Sequence, residues 1–255
     1  MCNRLRVNLF KAVCSRKRIA ATVLLCVVAV GFPIKVHEAA EVVTLPVRCL
    51  PTSQRIVALT YDDGPHPVYT PKLLRILRHY GVRATFFVIG ERAQTWPDIV
   101  RQAAREGHVI ANHTYTHRTD LESLSPSKIT RELSRTQSVI GSLTGHRYDF
   151  FRPPKGFVNY NLAMTARANG YRIVLWSVSA DHHEAKTPEQ MAERVIERVR
   201  PGAIILMHDG KFAVRWRDVV ATPLIIRALR KMGYRFVTVP ELLDRLEANK
   251  KQRTR

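Results

Sequence analysis

Beyond residue 49 the chain has no cysteine; its four stand at 2, 14, 26 and 49. Three of them lie in or before the first apolar segment, so the folded part carries neither an internal disulfide nor a cysteine metal site. Acidic residues are the second shortage, with 21 Asp and Glu against 41 Lys and Arg. Such an excess suits acidic partners: nucleic acid, an anionic membrane surface or an anionic glycan. The basic–aromatic patch of a nucleic-acid module is missing, because the excess is spread along the chain, and no nucleic-acid partner is expected. Internal repeats and low-complexity runs are absent as well. The 255 residues, 45% of them hydrophobic, allow one large domain or two small ones around a real core.

Residues 1–18 hold Arg4, Arg6, Lys11, Arg16, Lys17 and Arg18 and no acid, and residues 19–34 are apolar apart from Thr22. A basic flank before an apolar span reads as a signal peptide or as an uncleaved anchor. Cleavage after Ala39 or Ala40 would put His37 or Glu38 at the small-residue position, Val27-Val28-Ala29 lies inside the apolar run, and Leu25 before Cys26 is too large for a lipoprotein site. The span 19–36 is slightly short for a hydrocarbon core of about 30 Å, which snorkelling by Arg18 and Lys35 relieves. The expectation is a single-pass bacterial inner-membrane protein, with residues 1–18 cytoplasmic and everything after 36 on the periplasmic side. Secretion after cleavage is the alternative. Residues 37–54, with Pro46 and Pro51 and few large apolar side chains, read as a linker, and 250–255 as a basic tail.

From 55 to 249 the pattern alternates as one domain. Apolar, β-branched or aromatic runs predict strands over 55–60, 84–89, 108–112, 147–151, 171–178, 202–208 and 234–239. Between them helical patterns cover 70–80, 97–106, 126–144, 159–169, 188–200, 222–232 and 240–249. Four helices are expected to start at a hydroxyl cap followed by proline: Thr70-Pro71, Ser125-Pro126, Thr187-Pro188 and Thr222-Pro223. Thr187 with Gln190 also fits a capping box. Gly81, Gly107, Gly170 and Gly233 close helices or lead into strands. Seven strand–helix pairs argue for a parallel sheet, and closure into a barrel is the natural way to hide its edges. A monomer is expected.

In parallel α/β architectures the functional side chains collect at the carboxyl ends of the strands. Here those ends carry Asp62 and Asp63; His113 and His117; Arg152, Pro153, Pro154, Lys155 and Gly156; Asp181; and His208 with Asp209. Adjacent carboxylates at the end of a buried strand are costly unless a cation or a reaction requires them. The His113…His117 spacing is that of one helical face, on which two imidazoles can share a metal. With an aspartate they make a two-His, one-carboxylate site with open positions, suited to Zn²⁺ as Lewis acid and water activator. The other aspartate would then be a base, held ionised by Arg152. His208, at the end of Ala203–Met207, could pair with Asp181 and protonate a leaving group.

These residues resemble a family. Thr60-Tyr61-Asp62-Asp63-Gly64, His113-x-x-x-His117, Arg152-Pro153-Pro154-x-Gly156, Trp176-x-x-x-x-Asp181 and Leu206-Met207-His208 are similar to the five motifs of NodB-like polysaccharide deacetylases, carbohydrate esterase family 4. They stand in the family order and span about residues 55–244. The resemblance implies a distorted (β/α)7-type barrel and metal-dependent removal of N-acetyl groups from a glycan, releasing acetate. It implies Asp63, His113 and His117 as ligands of a divalent metal, most simply Zn²⁺, Asp62 as general base, His208 as general acid, Arg152 orienting Asp62 and Asp181 tuning His208. The N–H of Lys155 would stabilise the oxyanion, with Pro154, Tyr61, Trp176 and His182 on the substrate side. Two positions depart from the family pattern: Lys155 replaces a frequent aromatic, and His182 stands where a sugar-stacking Trp is common. An O-acetyl ester, a non-sugar amide or a non-catalytic glycan-binding role are the alternatives.

Overall fold

The computed structural model describes residues 46–180, 185–210 and 213–245. The basic N-terminus, the apolar span 19–36, residues 37–45 of the expected linker, Asp181, His182 and the tail lie outside the described residues. Among the described residues no helix is long and apolar enough to cross a membrane.

Among the described residues eight strands form one sheet: β1 (Ile56–Asp62), β2 (Thr85–Val88), β3 (Val109–Asn112), β4 (Phe150–Phe151), β5 (Arg172–Ile173), β6 (Val178–Ser179), β7 (Ala203–His208) and β8 (Arg235–Phe236). Their order is β5-β4-β3-β2-β1-β7-β6, with β8 on the start of β1, and every ladder is parallel. The helices are α1 (Tyr69–His79), α2 (Gly90–Thr95), α3 (Pro97–Arg105), α4 (Pro126–Thr144), α5 (Tyr160–Ala168), α6 (Pro188–Arg198) and α7 (Trp216–Lys231), and a last helix is described over residues 239–245.

The single strand expected over 171–178 is instead two short ones. β5 ends one side of the sheet and β6 ends the other, so four residues, 174–177, carry the chain from edge to edge and the sheet must curl. The result is a curled half-barrel with helices packed around it, consistent with the barrel expectation. At the seam Val47 does what a ladder would do: its N–H donates to the Ile173 carbonyl (2.9 Å) and its carbonyl accepts from Leu175 N–H (2.7 Å). Leu50 is fully buried in the same core. The described part of the expected linker is therefore packed against the sheet.

Strand periodicity sorts the core. Val57, Leu59 and Tyr61 of β1 and Ala203, Ile205 and Met207 of β7 pack outward against the helices. Ile56 and Ala58, with Phe87, Ala111, Phe150 and Ile204, fill the concave side. Successive side chains on a strand alternate faces, so Thr60 and Asp62 continue the inner row of β1 and His208 that of β7.

Helix starts follow the sequence in part. Thr187 caps α6 with the full capping box to Gln190. Ser125 occupies the N-cap position of α4 without a side-chain capping bond. Thr70 lies inside α1, and its hydroxyl is engaged elsewhere, accepting from His66 N–H (2.7 Å) and donating to Asp209 (2.6 Å). Thr222-Pro223 is no helix start: α7 begins at Trp216 and keeps Pro223 inside it. Burial of Val219, Ala221, Ile225 and Ile226 against the sheet outweighs the local proline signal there, as tertiary packing commonly does. Gly81, Gly107, Gly170 and Gly233 all have positive φ, as their helix-closing role requires.

Candidate active site

The inner parity of β1 delivers Asp62 to the carboxyl end of the sheet, 3% exposed. Its Oδ1 accepts from Arg152 Nη1 at 2.7 Å. Arg152 has no exposed surface. Nη1 also donates to Thr60 Oγ1 (2.8 Å), while Nε and Nη2 donate to the carbonyls of Val174 and Leu175, each at 3.0 Å. The guanidinium lies 4.0 Å above the Phe87 ring. One side chain thus satisfies two seam carbonyls and holds the carboxylate of Asp62, a fixed geometry that a guanidinium provides and an ammonium does not.

Asp63, with φ 72°, turns its side chain out of strand alternation and towards two histidines. Its Oδ1 is 3.0 Å from His117 Nε2 and 3.5 Å from His113 Nε2. Burial alone would raise the Asp63 pKa, but hydrogen bonds with His113 and His117 outweigh it and hold the carboxyl far below the usual range. Two glycines make this corner possible: a Cβ on Gly210 would come within 2.0 Å of the Asp63 carbonyl oxygen, and one on Gly64 within 2.4 Å of the Asp209 carboxylate.

His113 and His117 do not share a helical face. They sit on a tight loop after β3, with Thr114 at φ 67° and His117 at φ 55°, and the loop rather than helix geometry brings their rings to 4.9 Å. Asn112 Oδ1 accepts from Thr114 N–H (2.9 Å) and so favours this turn over a continued strand. His113 Nδ1 bonds the Arg152 carbonyl (2.7 Å), which directs Nε2 at Asp63. That second bond is how a metal-ligating histidine is normally oriented. Asp63, His113 and His117 each present one donor atom within 4.8 Å of one another, buried or nearly so. One carboxylate and two oriented imidazoles, with a second carboxylate adjacent (Asp62 Oδ2 to His113 Nε2, 3.8 Å), fit a divalent cation.

His208 is paired with Asp62 in the β1–β7 register. Its N–H donates to Asp218 Oδ1 (3.0 Å), a buried acid of α7. Arg215, also buried, stands 3.9 Å from Asp63 Oδ2 and 3.9 Å from Asp218 Oδ2. A cavity of about 220 Å³ is lined by Asp62, Asp63, His113, His117, Lys155 and His208, with Thr119, Trp176, Leu206 and Arg215. Burial, with the charges of Asp63 and Asp62 adding to it, raises the Asp209 carboxyl to about 7.

The structure thus brings together Asp62, Asp63, His113, His117, Arg152, Lys155, Trp176 and His208. Lys155, at φ 56°, is exposed at the cavity wall, and Trp176 packs beside Gly156. Pro154 is buried in the turn before Lys155. Tyr61 is not on the substrate side: strand parity turns its ring outward beneath α7, fully buried, with its hydroxyl bonded to Thr222 Oγ1 (2.9 Å). Burial raises the Tyr61 pKa well above the usual phenol value. Arg215 and Asp218 carry no mark in the sequence pattern, because Asp218 lies on α7 and Arg215 just before it, away from the strand ends.

A family model described as polysaccharide deacetylase matches residues 50–174. The chain is 40% identical over 196 residues to a peptidoglycan-N-acetylglucosamine deacetylase of Bacillus cereus, covering 76% of this chain and 91% of that protein. It is 32% identical over 199 residues to a chitooligosaccharide deacetylase of Azorhizobium caulinodans, covering 74% and 94%. A crystal structure of a peptidoglycan N-acetylglucosamine deacetylase in complex with 4-naphthalen-1-yl-N-oxidanyl-benzamide is similar with a TM-score of 0.74 at 35% identity, over 77% of this chain and 91% of that one.

Proposed function

The chain belongs to the polysaccharide deacetylase family, and from that premise we propose that it hydrolyses N-acetyl groups of amino sugars in a cell-envelope polysaccharide, with peptidoglycan the first candidate. One observation carries the reading: the Arg152-held Asp62, the Asp63–His113–His117 cluster and His208 all line one cavity. The relatives that act on peptidoglycan and on chitooligosaccharides support an N-acetylglucosamine-type sugar. The exposed Lys155 at the cavity wall and the net charge of +20 support an acidic polymer.

A divalent cation, most simply Zn²⁺, held by Asp63, His113 and His117 would supply Lewis acidity to the acyl carbonyl and to water. Asp62 takes the proton of the attacking water, and its bond to Arg152 keeps it aimed. The Lys155 N–H donates to the oxygen that gains charge as the carbonyl carbon becomes tetrahedral. His208 gives a proton to the nitrogen as the C–N bond breaks, the role that the family resemblance has Asp181 support. Water is consumed, and acetate and a free amine are released. The apolar span 19–36 would hold the domain at the outer face of the inner membrane.

Acetate release by the full-length protein from chitin oligomers and from peptidoglycan tests this, after chelation and after Zn²⁺ return. The expected outcome is metal-dependent release, reduced about 10²–10⁴-fold in Asp62→Asn and His208→Ala. Release from O-acetylated glycan alone would redirect the reading to an esterase. Neither release nor metal binding would leave a glycan-binding relative.

A further inference from the structure

Glu132 lies on α4, outside the cavity, yet it holds the loop that carries two of the three metal-site residues. Its Oε2 accepts from the N–H groups of Tyr115 (2.9 Å) and Thr116 (2.8 Å), and its Oε1 accepts from Thr116 Oγ1 (2.9 Å). Two successive backbone amides on one oxygen form an anion-binding concavity, here filled by a side chain of the same chain.

The loop needs such a hold. It leaves β3 after Asn112, carries non-glycine residues with left-handed backbones at Thr114 and His117, and returns within five residues to face Asp63. Each left-handed non-glycine residue is strained and persists only where its surroundings over-determine it. The surroundings divide the work. Thr114 and Tyr115 carbonyls accept from Gly90 and Glu91 N–H (2.9 and 3.1 Å), and Asn112 takes the Thr114 N–H. The two amides at the apex go to Glu132.

His113 and His117 depend on this clamp unequally. His113 N–H donates to the Val88 carbonyl (3.0 Å) and its ring is bonded to the Arg152 carbonyl, so the sheet holds it. His117 follows the apex, with its N–H on Thr114 Oγ1 (3.1 Å), and it is the histidine nearer Asp63.

We propose that Glu132 is a positioning residue for the metal site: by clamping the Tyr115 and Thr116 amides it sets the backbone of His117 and hence the bite of the Asp63–His113–His117 cluster. The proposal rests on reading that cluster as the metal site. Loss of the clamp would release His117 while His113 and Asp63 stay in place, turning a three-residue site into a two-residue one.

The test is Zn²⁺ affinity by competition with a chromogenic chelator, on full-length wild type, Glu132→Ala, Glu132→Gln and Thr116→Val. Glu132→Ala should bind Zn²⁺ about 10–100-fold more weakly, the range in which a group orienting a ligand acts. Its acetate release should recover when Zn²⁺ is raised by the same factor. The rise in melting temperature on adding Zn²⁺ should shrink with it, through the same mass action. Glu132→Gln, whose carbonyl oxygen can still accept both amides, should stay near wild type. Thr116→Val, which removes one of the three bonds at an exposed residue, should weaken Zn²⁺ in the same direction by less, and it carries the test if Glu132→Ala does not fold. Wild-type affinity in both Glu132→Ala and Thr116→Val, with only a lower melting temperature, would overturn the proposal. Absence of Zn²⁺ binding in the wild type would instead overturn the reading of the cluster itself.

Discussion

Arg152 shows how much one residue can be asked to do. Its donors satisfy Thr60, Asp62 and the carbonyls of Val174 and Leu175, with no surface exposed. Arg152→Met would leave a buried carboxylate unpaired and is expected to cost about 3–5 kcal/mol in urea denaturation, the penalty for breaking a buried pair from one side. His108 gives a pH-dependent counterpart. It is buried, its Nδ1 accepts from Ala84 N–H (3.1 Å), and burial lowers its pKa to about 4 from 6.5. Between these values the unfolded chain binds a proton that the native imidazole refuses, so stability falls as pH falls through that window and the loss levels off below about 4. The full shift corresponds to about 3 kcal/mol. Denaturation midpoints at pH 7 and 4.5 should converge for His108→Asn, whose side-chain oxygen can take the place of Nδ1. At this scale the sequence was most legible where chemistry demands a residue type, as at Asp62, Asp63, His113, His117 and His208. It was least legible for Glu132, Arg215 and Asp218, whose roles depend on contacts made across the fold.

At the scale of elements, the strand periodicity that identified β1 also decided the fate of Tyr61. Adjacent to Asp62 in sequence, it points to the opposite face and bonds Thr222 of α7, whose hydroxyl also bonds the Asp218 carbonyl (2.7 Å). Thr222→Val should leave the buried Tyr61 hydroxyl without its partner and cost about 1–3 kcal/mol by denaturant titration. Acetate release at saturating metal should remain near wild type, since Tyr61 does not reach the cavity; a large loss of turnover would restore it to the substrate side. The Thr222-Pro223 pair read as a helix start because it carries the local chemistry of one. The start lies at Trp216 because the preceding turns bury Asp218, Val219 and Ala221. The run 171–178 likewise reads as one strand by composition, while its two ends pair with β4 and β7 at opposite sides of the sheet.

For the whole molecule, the seam between β5 and β6 ties residues 46–50 into the domain. Leu50 is buried among Ile56, Ala58, Ile204 and Val239, and a Cβ on Gly202 would strike its carbonyl at 1.9 Å. Leu50→Ala should destabilise the domain by about 2–5 kcal/mol in thermal or urea unfolding, the cost of a core cavity. A change within 0.5 kcal/mol would mark the segment as a detachable linker. The sequence by itself determined the alternation of strands and helices, the residue types gathered at the strand ends, and through them the family. Those follow from local periodicity and from side-chain chemistry, which the chain carries at every residue. Only the tertiary structure decided which neighbour faces the cavity and which the helices, where one apparent strand divides, and that α4 brings Glu132 to the loop after β3 and α7 brings Asp218 to His208. These depend on register, on sheet curvature and on pairings between residues far apart in the chain, none of which a local pattern specifies.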